Sequence, residues 1–563
     1  MPIFRLRLLS MLLGLTLVLA GCPNRREPVD DDDAGDDAAG DDDDDDTGDD
    51  DTSGDDDDTG DDDTSGDDDT APPCPEGTRF CDGTVVMECD ADELPVFVQD
   101  CAPEEACYAG SCDDPCAVVA AQHSYLGCDF LAVSTLNTSL SAGFATDFAV
   151  VVGVPAGSED AEVTVTRGGN AAATQTVLAG SSAAIQLPMV PALQVAGGGL
   201  FSNASSATVV GGAYEVHSSV PIVAYQFNPL HFTTGALAYS YSNDASLLLP
   251  EHSMTGEYRV LTWNTWPYTP WVSYRGYAAI AGTEDGTSVT ITASSQTADG
   301  DPAALSAGQS TTVLLDRGDV VQILSGPGED DDLTGTTISA TAPVATFVGH
   351  DCTYMPVEFA ACDHLEEMAF PVETWGTTVV LSAPQHPDGL GAAPARYRIQ
   401  GRMGGVGLTF EPSVQAAVTL GLGEILEFET AQDFVVTAAG QIQVTQTMLG
   451  QDALGAVSGG DPALGTGVPW SQTRASYDFL VPATYTTNWL NVVALTGAPI
   501  RLDGALVTGW VPVGSSGYDA ARVAVGVGSH EVASDDGSRF GITAYGYAQY
   551  TSYLYPAGLN FLR

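Results

Sequence analysis

The chain has 563 residues, 44% of them hydrophobic, and carries 76 acidic against 17 basic side chains for a formal net charge of -59. All the basic residues are arginine, and lysine is absent. This excludes a P-loop lysine, a Schiff-base lysine and a Ser-Lys dyad, and it argues against a polyanionic partner, which needs clustered cations.

The first 21 residues read as a processing signal. Arg5 and Arg7 precede an apolar run from Leu8 to Ala20, and Leu19-Ala20-Gly21-Cys22 is similar to a bacterial lipobox. The run is too short to span a membrane. Lipidation at Cys22 is therefore expected, with the chain held in the cell envelope. Pro23 follows the cysteine, where an aspartate would favour inner-membrane retention, so the outer membrane or cell surface is expected.

Residues 22–73 form the anchor and an acidic stalk. Asp30 to Asp69 contains 25 aspartates and no basic residue. Such a stretch has nothing to bury, repels itself and stays extended, reaching on the order of 170 Å if ~50 residues are fully drawn out. Its blocks lack the spacing of an ordered calcium loop.

Residues 74–115 hold Cys74, Cys81, Cys89, Cys101, Cys107 and Cys112, a small disulfide-stapled module of undetermined connectivity. Zinc is disfavoured there, because the module has no histidine and no C-x₂-C pair. Cys116 and Cys128 make a further close pair at the entrance to the region 116–563, and Cys352 and Cys362, the only later cysteines, are expected to pair with each other.

From 128 onward the texture is all-β. Short runs rich in Val, Thr, Ile and Tyr alternate with turn residues, for example Phe148 to Val152, Glu162 to Thr166, Tyr258 to Trp263, Ser288 to Thr292, Thr312 to Leu315, Val320 to Leu324 and Thr377 to Leu381. Val344 to Val348 reads as a buried strand ended by Gly349. Similar pieces recur, each closed by a proline at Pro250, Pro371 and Pro482, with a strand under way eight residues later at Tyr258, Val379 and Leu490. V-P-I-V-A-Y-Q-F (220–227) and A-P-V-A-T-F-V-G (342–349) match each other, and Gln441 to Gln446 is a weaker third copy. The expected fold is a series of tandem antiparallel β repeats, sandwich-like, with a β-propeller as the alternative.

The string H-D-C…A-C-D-H-L-E-E…P-V-E-T-W-G (350–376) resembles the N-terminal domain of IgGFc-binding proteins. So do S-N-D-A-S-L-L-L-P (242–250), G-T-E-D-G-T-S-V-T-I-T (282–292), L-T-G-T-T-I (333–338) and F-G-I-T-A-Y-G-Y…S-Y-L-Y-P-A-G-L-N (540–560). The resemblance covers roughly 116–563. It implies binding to glycoprotein or immunoglobulin-like ligands, with no cofactor.

Three groups are candidates for chemistry. His350, Asp351, Cys352, Cys362, Asp363, His364, Glu366 and Glu367 have the residue types of a metal or thiol site. The plainer reading is a disulfide-closed loop whose polar groups cap turns and strand ends, and no metal or catalytic group is assigned. Arg317-Gly318-Asp319 is an integrin-type tripeptide placed at a hairpin turn. Trp263, Trp266, Tyr268 and Trp271, followed by Tyr274 and Tyr277, crowd one stretch with Pro267 and Pro270, a composition common in loops that bind protein or carbohydrate. Tyr545, Tyr547, Tyr550, Tyr553 and Tyr555 read as packing. Neither G-x-S-x-G nor H-E-x-x-H occurs. The expectation is a surface-anchored adhesion lipoprotein, not an enzyme, that recognises an extracellular protein or glycoprotein. A metal-dependent hydrolase built on 350–367 and a structural envelope protein are the alternatives.

Overall fold

The computed structural model describes residues 77–563 apart from 92–93, 103–104, 109, 138–146, 196–202, 232–241 and 360–361. The signal segment, Cys22, the acidic stalk and Cys74 lie outside the described residues. The described residues are nearly all β, with 53% in strands and 5% in helices.

The cysteine-rich stretch forms a three-stranded sheet (Arg79–Asp82, Val85–Cys89, Pro95–Asp100) and a two-stranded one (Ala106–Tyr108, Ser111–Asp113). Disulfides join Cys81 to Cys107 and Cys101 to Cys112, and Cys89 is also disulfide-bonded. A short helix, Pro115–Ala121, follows. Asp114 caps it by accepting the Cys116 N–H at 2.7 Å. The Cys116–Cys128 disulfide ties the helix to the first strand of the repeat region.

Four β units follow, and they share one topology. Each is organised on a long spine strand: Tyr214–Phe227, Thr337–Thr353 and Phe434–Met448 in the first three. In each of these units the first and third strands pair with the N-terminal half of the spine. The second strand pairs with its C-terminal half, and so does a closing strand. The closing strands are Ala245–Leu247, Asp363–Met368 and Leu464–Thr466. The fourth and fifth strands extend the two arms outward. In the fourth unit the spine is divided at D-D-G-S-R (535–539) into Gly528–Ser534 and Phe540–Ala548, with the same pairing on each half and a closing strand at Thr551–Pro556.

The sequence explains where each spine changes sheet. Pro221 and Pro343 stand at the changeovers in the first two units. A proline has no N–H for the ladder, so pairing with one neighbour stops there and resumes with another. Gly440 takes that place in the third unit. The sheet thus curls through its spine, and its two arms face each other across an apolar core. In the second unit that core includes Tyr258, Ile280, Ile291, Leu315, Ile323 and Val348; in the third it includes Tyr397, Ile399, Phe410, Phe428 and Phe434. The first and fourth units share one continuous core. Because each sheet curls so that its two arms enclose apolar side chains, the units are sandwich-like and not flat propeller blades.

The repeat landmarks need one correction. Pro250, Pro371 and Pro469 each precede a single 3-10 turn: Glu251–Ser253, Val372–Thr374 and Trp470–Gln472. Pro482, by contrast, lies just past the first strand of the fourth unit, Ser476–Val481. The third landmark is therefore Pro469, and the residue eight positions on is Tyr477, the counterpart of Tyr258. The two tyrosines do the same work. Tyr258 accepts the Thr255 N–H at 3.3 Å and donates to the Val344 carbonyl at 2.8 Å; Tyr477 accepts the Arg474 N–H at 2.7 Å and donates to the Phe540 carbonyl at 2.5 Å.

Candidate functional site

The aromatic stretch 263–277 is split by the fold. Trp263 is buried beneath Arg398, whose guanidinium lies 3.9 Å from the ring centroid, and it packs with Met355, Leu365, Leu449 and Leu464. It is a packing residue, contrary to the expectation that it faces a ligand. Trp266, Tyr268 and Trp271 sit on a two-stranded hairpin, Trp266–Thr269 with Val272–Tyr274, inserted between the first two strands of the second unit. Pro267 and Pro270 are tolerated there because the hairpin is a free ribbon whose outer edge needs no further pairing.

Trp266 and Tyr268 are half-buried. Trp266 packs on Tyr274 at 5.5 Å and on Tyr354 at 4.0 Å between ring centroids. Trp271 projects from the turn and is 81% exposed. The turn is held by Asn203, which donates to the Trp271 carbonyl at 2.8 Å and accepts the Ser273 N–H at 3.0 Å. The Cys352–Cys362 disulfide packs under the hairpin with Val272 and Tyr274 and closes the loop that carries Tyr354, Val357 and Phe359. Val357 and Phe359 are 50% and 43% exposed. The hairpin and the loop together present an apolar, aromatic surface on a braced base. Val357 and Phe359 were missed by composition. The signal for them was T-Y-M-P-V-E-F-A-A, an apolar run enclosed between two cysteines.

The polar residues from 350 to 367 are not a loop capping strand ends. The second spine runs on through Gly349 to Thr353, and Asp363–Met368 is the closing strand, with every residue buried. Gly349 is needed for the pairing, since a Cβ there would fall on the Leu365 carbonyl. Side chains alternate along the closing strand. Glu366 faces the first unit and accepts from Thr135 Oγ1 at 2.6 Å, Gln226 Nε2 at 2.8 Å and Ser246 Oγ at 2.9 Å. His364 lies beside it, stacked on Tyr277. Burial depresses His350 to about 3, so it is neutral at physiological pH. Asp363 and Glu367 point the other way, and burial raises both carboxyls well above the ordinary range.

The four closing strands pack against one another in a ring, which brings further buried carboxylates to the same centre. Asp244 Oδ2 accepts the N–H groups of Glu366 and of Leu464, each at 2.9 Å, and so bridges the closing strands of the first three units. Asp461 is fully buried and donates its N–H to Ser552 Oγ in the fourth unit at 2.8 Å. Neither Asp244 nor Asp461 was singled out from the sequence. The signal was spacing: Asp461 stands eight residues before Pro469, as Asp363 stands eight before Pro371.

Arg317-Gly318-Asp319 is not a hairpin turn. The strands it joins, Ser310–Leu315 and Val320–Leu324, belong to opposite arms of the second unit. Arg317 is engaged by Glu215 at 2.7 Å, Glu251 at 2.6 Å and the Thr283 carbonyl at 2.7 Å, and Asp319 accepts the Gly211 N–H at 2.8 Å. The tripeptide ties the first unit to the second. Tyr545, Tyr547, Tyr553 and Tyr555 are buried, while Tyr550 occupies the turn between the last two strands.

A family model described as IgGFc binding protein matches residues 244–546, from the closing strand of the first unit to the spine of the fourth. The human IgGFc-binding protein is 28% identical over 214 residues, which is 38% of this chain and 4% of that protein. Among solved structures, an anti-sigma factor domain-containing protein from Clostridium clariflavum aligns over 74% of this chain and all of its own, at 8% identity. Its TM-score of 0.11 is too low to bear on the fold. The matched segment covers more than half of the chain, from the last strand of the first unit into the fourth, and the chain belongs to the IgGFc binding protein family.

Proposed function

We propose that the protein is a surface adhesin that binds an extracellular protein or glycoprotein through the hairpin 266–274 and the disulfide-closed loop 352–362. The observation that carries this reading is Trp271, a fully presented indole on a ribbon fixed at its turn by Asn203 and at its base by the aromatic stack on Tyr354. Rigid aromatic side chains supply contact area at low entropic cost and dominate binding hot spots. The family, named for a binding activity, supports the same class of function. The buried His364, Glu366 and Asp363 are shielded from any substrate, which favours binding over hydrolysis.

The anchoring belongs to the same proposal. Lipidation at Cys22 holds the chain in the outer envelope, with the aspartate-rich residues 23–73 as the link between the anchor and the rest of the chain. Cys22→Ala is expected to release the protein from the membrane fraction, and unchanged fractionation contradicts the anchor. Probing a glycoprotein and glycan array with the purified full chain tests the binding. Saturable capture by one class of ligand is expected, and turnover of any arrayed substrate contradicts the reading.

A further inference from the structure

Five carboxylates lie buried where the closing strands meet: Asp244, Asp363, Glu366, Glu367 and Asp461, none more than 1% exposed. The chain has no lysine, and among the described residues no arginine forms an ion pair with any of the five. Burying an ionised carboxylate without a partner costs several kcal/mol, roughly, even after relaxation, so this charge requires compensation. Two of the five have it from hydrogen bonds. Asp244 receives three backbone N–H groups, and Glu366 receives side-chain donors from the first unit.

Asp461 and Asp363 do not. Both oxygens of Asp461 and Oδ2 of Asp363 meet no donor. Asp363 and Asp461 also lie near each other. The same Asp244 oxygen binds the N–H of Glu366 and of Leu464, and Asp363 and Asp461 stand three residues before those two positions. Asp461 lies in the segment that enters the third closing strand, and its Oδ1 and the Met355 carbonyl stand 3.9 Å and 3.5 Å from where a Cβ on Gly450 would sit, so it abuts the second unit two residues beyond Thr353, the partner of Asp363. After burial itself, Asp461 is the leading influence on the Asp363 carboxyl. Glu367, four residues further along the strand, is on the same face but separated from Asp363 by Leu365.

We propose that Asp363 and Asp461 together hold one hard divalent cation of the calcium–magnesium class in the seam between the second and third units. Three unpartnered carboxylate oxygens, two on Asp461 and one on Asp363, suit an oxygen-preferring ion. No third acidic, histidine or cysteine side chain converges with them among the described residues, so the remaining positions fall to main-chain oxygens and water. The cation would fasten the closing strands whose ring joins the units, independently of the ligand bound at the surface.

The test uses the full chain stripped with EDTA, with calcium chloride and magnesium chloride as separate probes. One of the two ions is expected to raise the Tm by several degrees, and calorimetry to show one tight equivalent. Asp461→Asn and Asp363→Asn are expected to abolish the shift and weaken binding at least tenfold, while Glu284→Gln, on an exposed turn, leaves both unchanged. The stalk aspartates bind ions diffusely in every variant, so the difference between variants reads the core site. Native mass spectrometry of the dialysed wild-type chain is a second measurement that does not depend on the variants folding, and one retained ion is expected. No Tm shift with either ion, no retained ion, or a shift that persists in both asparagine variants overturns the proposal. The first two outcomes would leave the two carboxylates sharing a proton instead, and the third would place the ion elsewhere.

Discussion

Tyr477→Phe removes one oxygen atom and leaves the ring in place. In the folded protein that oxygen accepts the Arg474 N–H at 2.7 Å and donates to the Phe540 carbonyl at 2.5 Å, at the point where the first strand of the fourth unit meets the second half of its divided spine. The Tyr477 side chain is 1% exposed and packs edge-on to Phe540 at 5.1 Å, so water has no direct route to the vacated position. Leaving a buried donor or acceptor unpaired costs about 1–3 kcal/mol per group. The Arg474 N–H is only partly buried and is worth less, so the expected loss is about 2–3 kcal/mol. In the second unit Tyr258→Phe breaks the same motif, but its accepted bond is longer, 3.3 Å, and the expected loss is about 1–2 kcal/mol. Urea denaturation followed by tryptophan fluorescence measures both. A Tyr477→Phe midpoint within about 0.5 kcal/mol of wild type, the range of neutral surface changes, would refute the equivalence of the two tyrosines as load points of repeated units.

Three other outcomes are expected. Gly349→Ala drives a methyl group into the Leu365 carbonyl and should cost about 3 kcal/mol or more, seen as loss of soluble folded protein or a much lower Tm. Arg317→Ala breaks contacts with Glu215 and Glu251, but the side chain is 37% exposed, so after solvent screening the loss should be about 1 kcal/mol by urea denaturation, with ligand binding unchanged. Burial and the facing Glu531 raise the Asp478 carboxyl to about 6. Between about pH 4 and pH 6 the folded state then binds more protons than the unfolded chain, so this residue's contribution falls as pH rises through that window and is flat above it. Asp478→Asn should therefore stabilise the protein at pH 8 by up to about 2 kcal/mol and flatten the Tm profile between pH 4 and 6.

The all-β class and the existence of repeats were legible because strand runs and proline landmarks are local signals. The second-half spine pieces at 220–227 and 342–349 were found as a repeat because each carries the proline at which the strand changes sheet. What was not legible depended on contacts across the units. Pro482 imitated a landmark because it follows an apolar strand, and only the 3-10 turn after Pro469 shows which proline is equivalent. With that offset known, Asp461 falls into register with Asp363, and the acidic centre becomes visible as spacing. Trp263 and Trp266 are indistinguishable by composition. One lies under Arg398 and the other on a ribbon, a difference set by partners some 90 to 130 residues away.

The central claim is that the hairpin and the disulfide-closed loop form the binding surface. Titrating a glycoprotein captured on the array against the full chain and against the Trp271→Ala/Phe359→Ala variant tests it most directly. Truncating two exposed aromatic anchors should cost about 2–4 kcal/mol of binding, a weakening of at least thirtyfold, with the Tm unchanged because neither side chain is buried. Wild-type affinity in that variant would contradict the account and move the binding surface elsewhere on the protein.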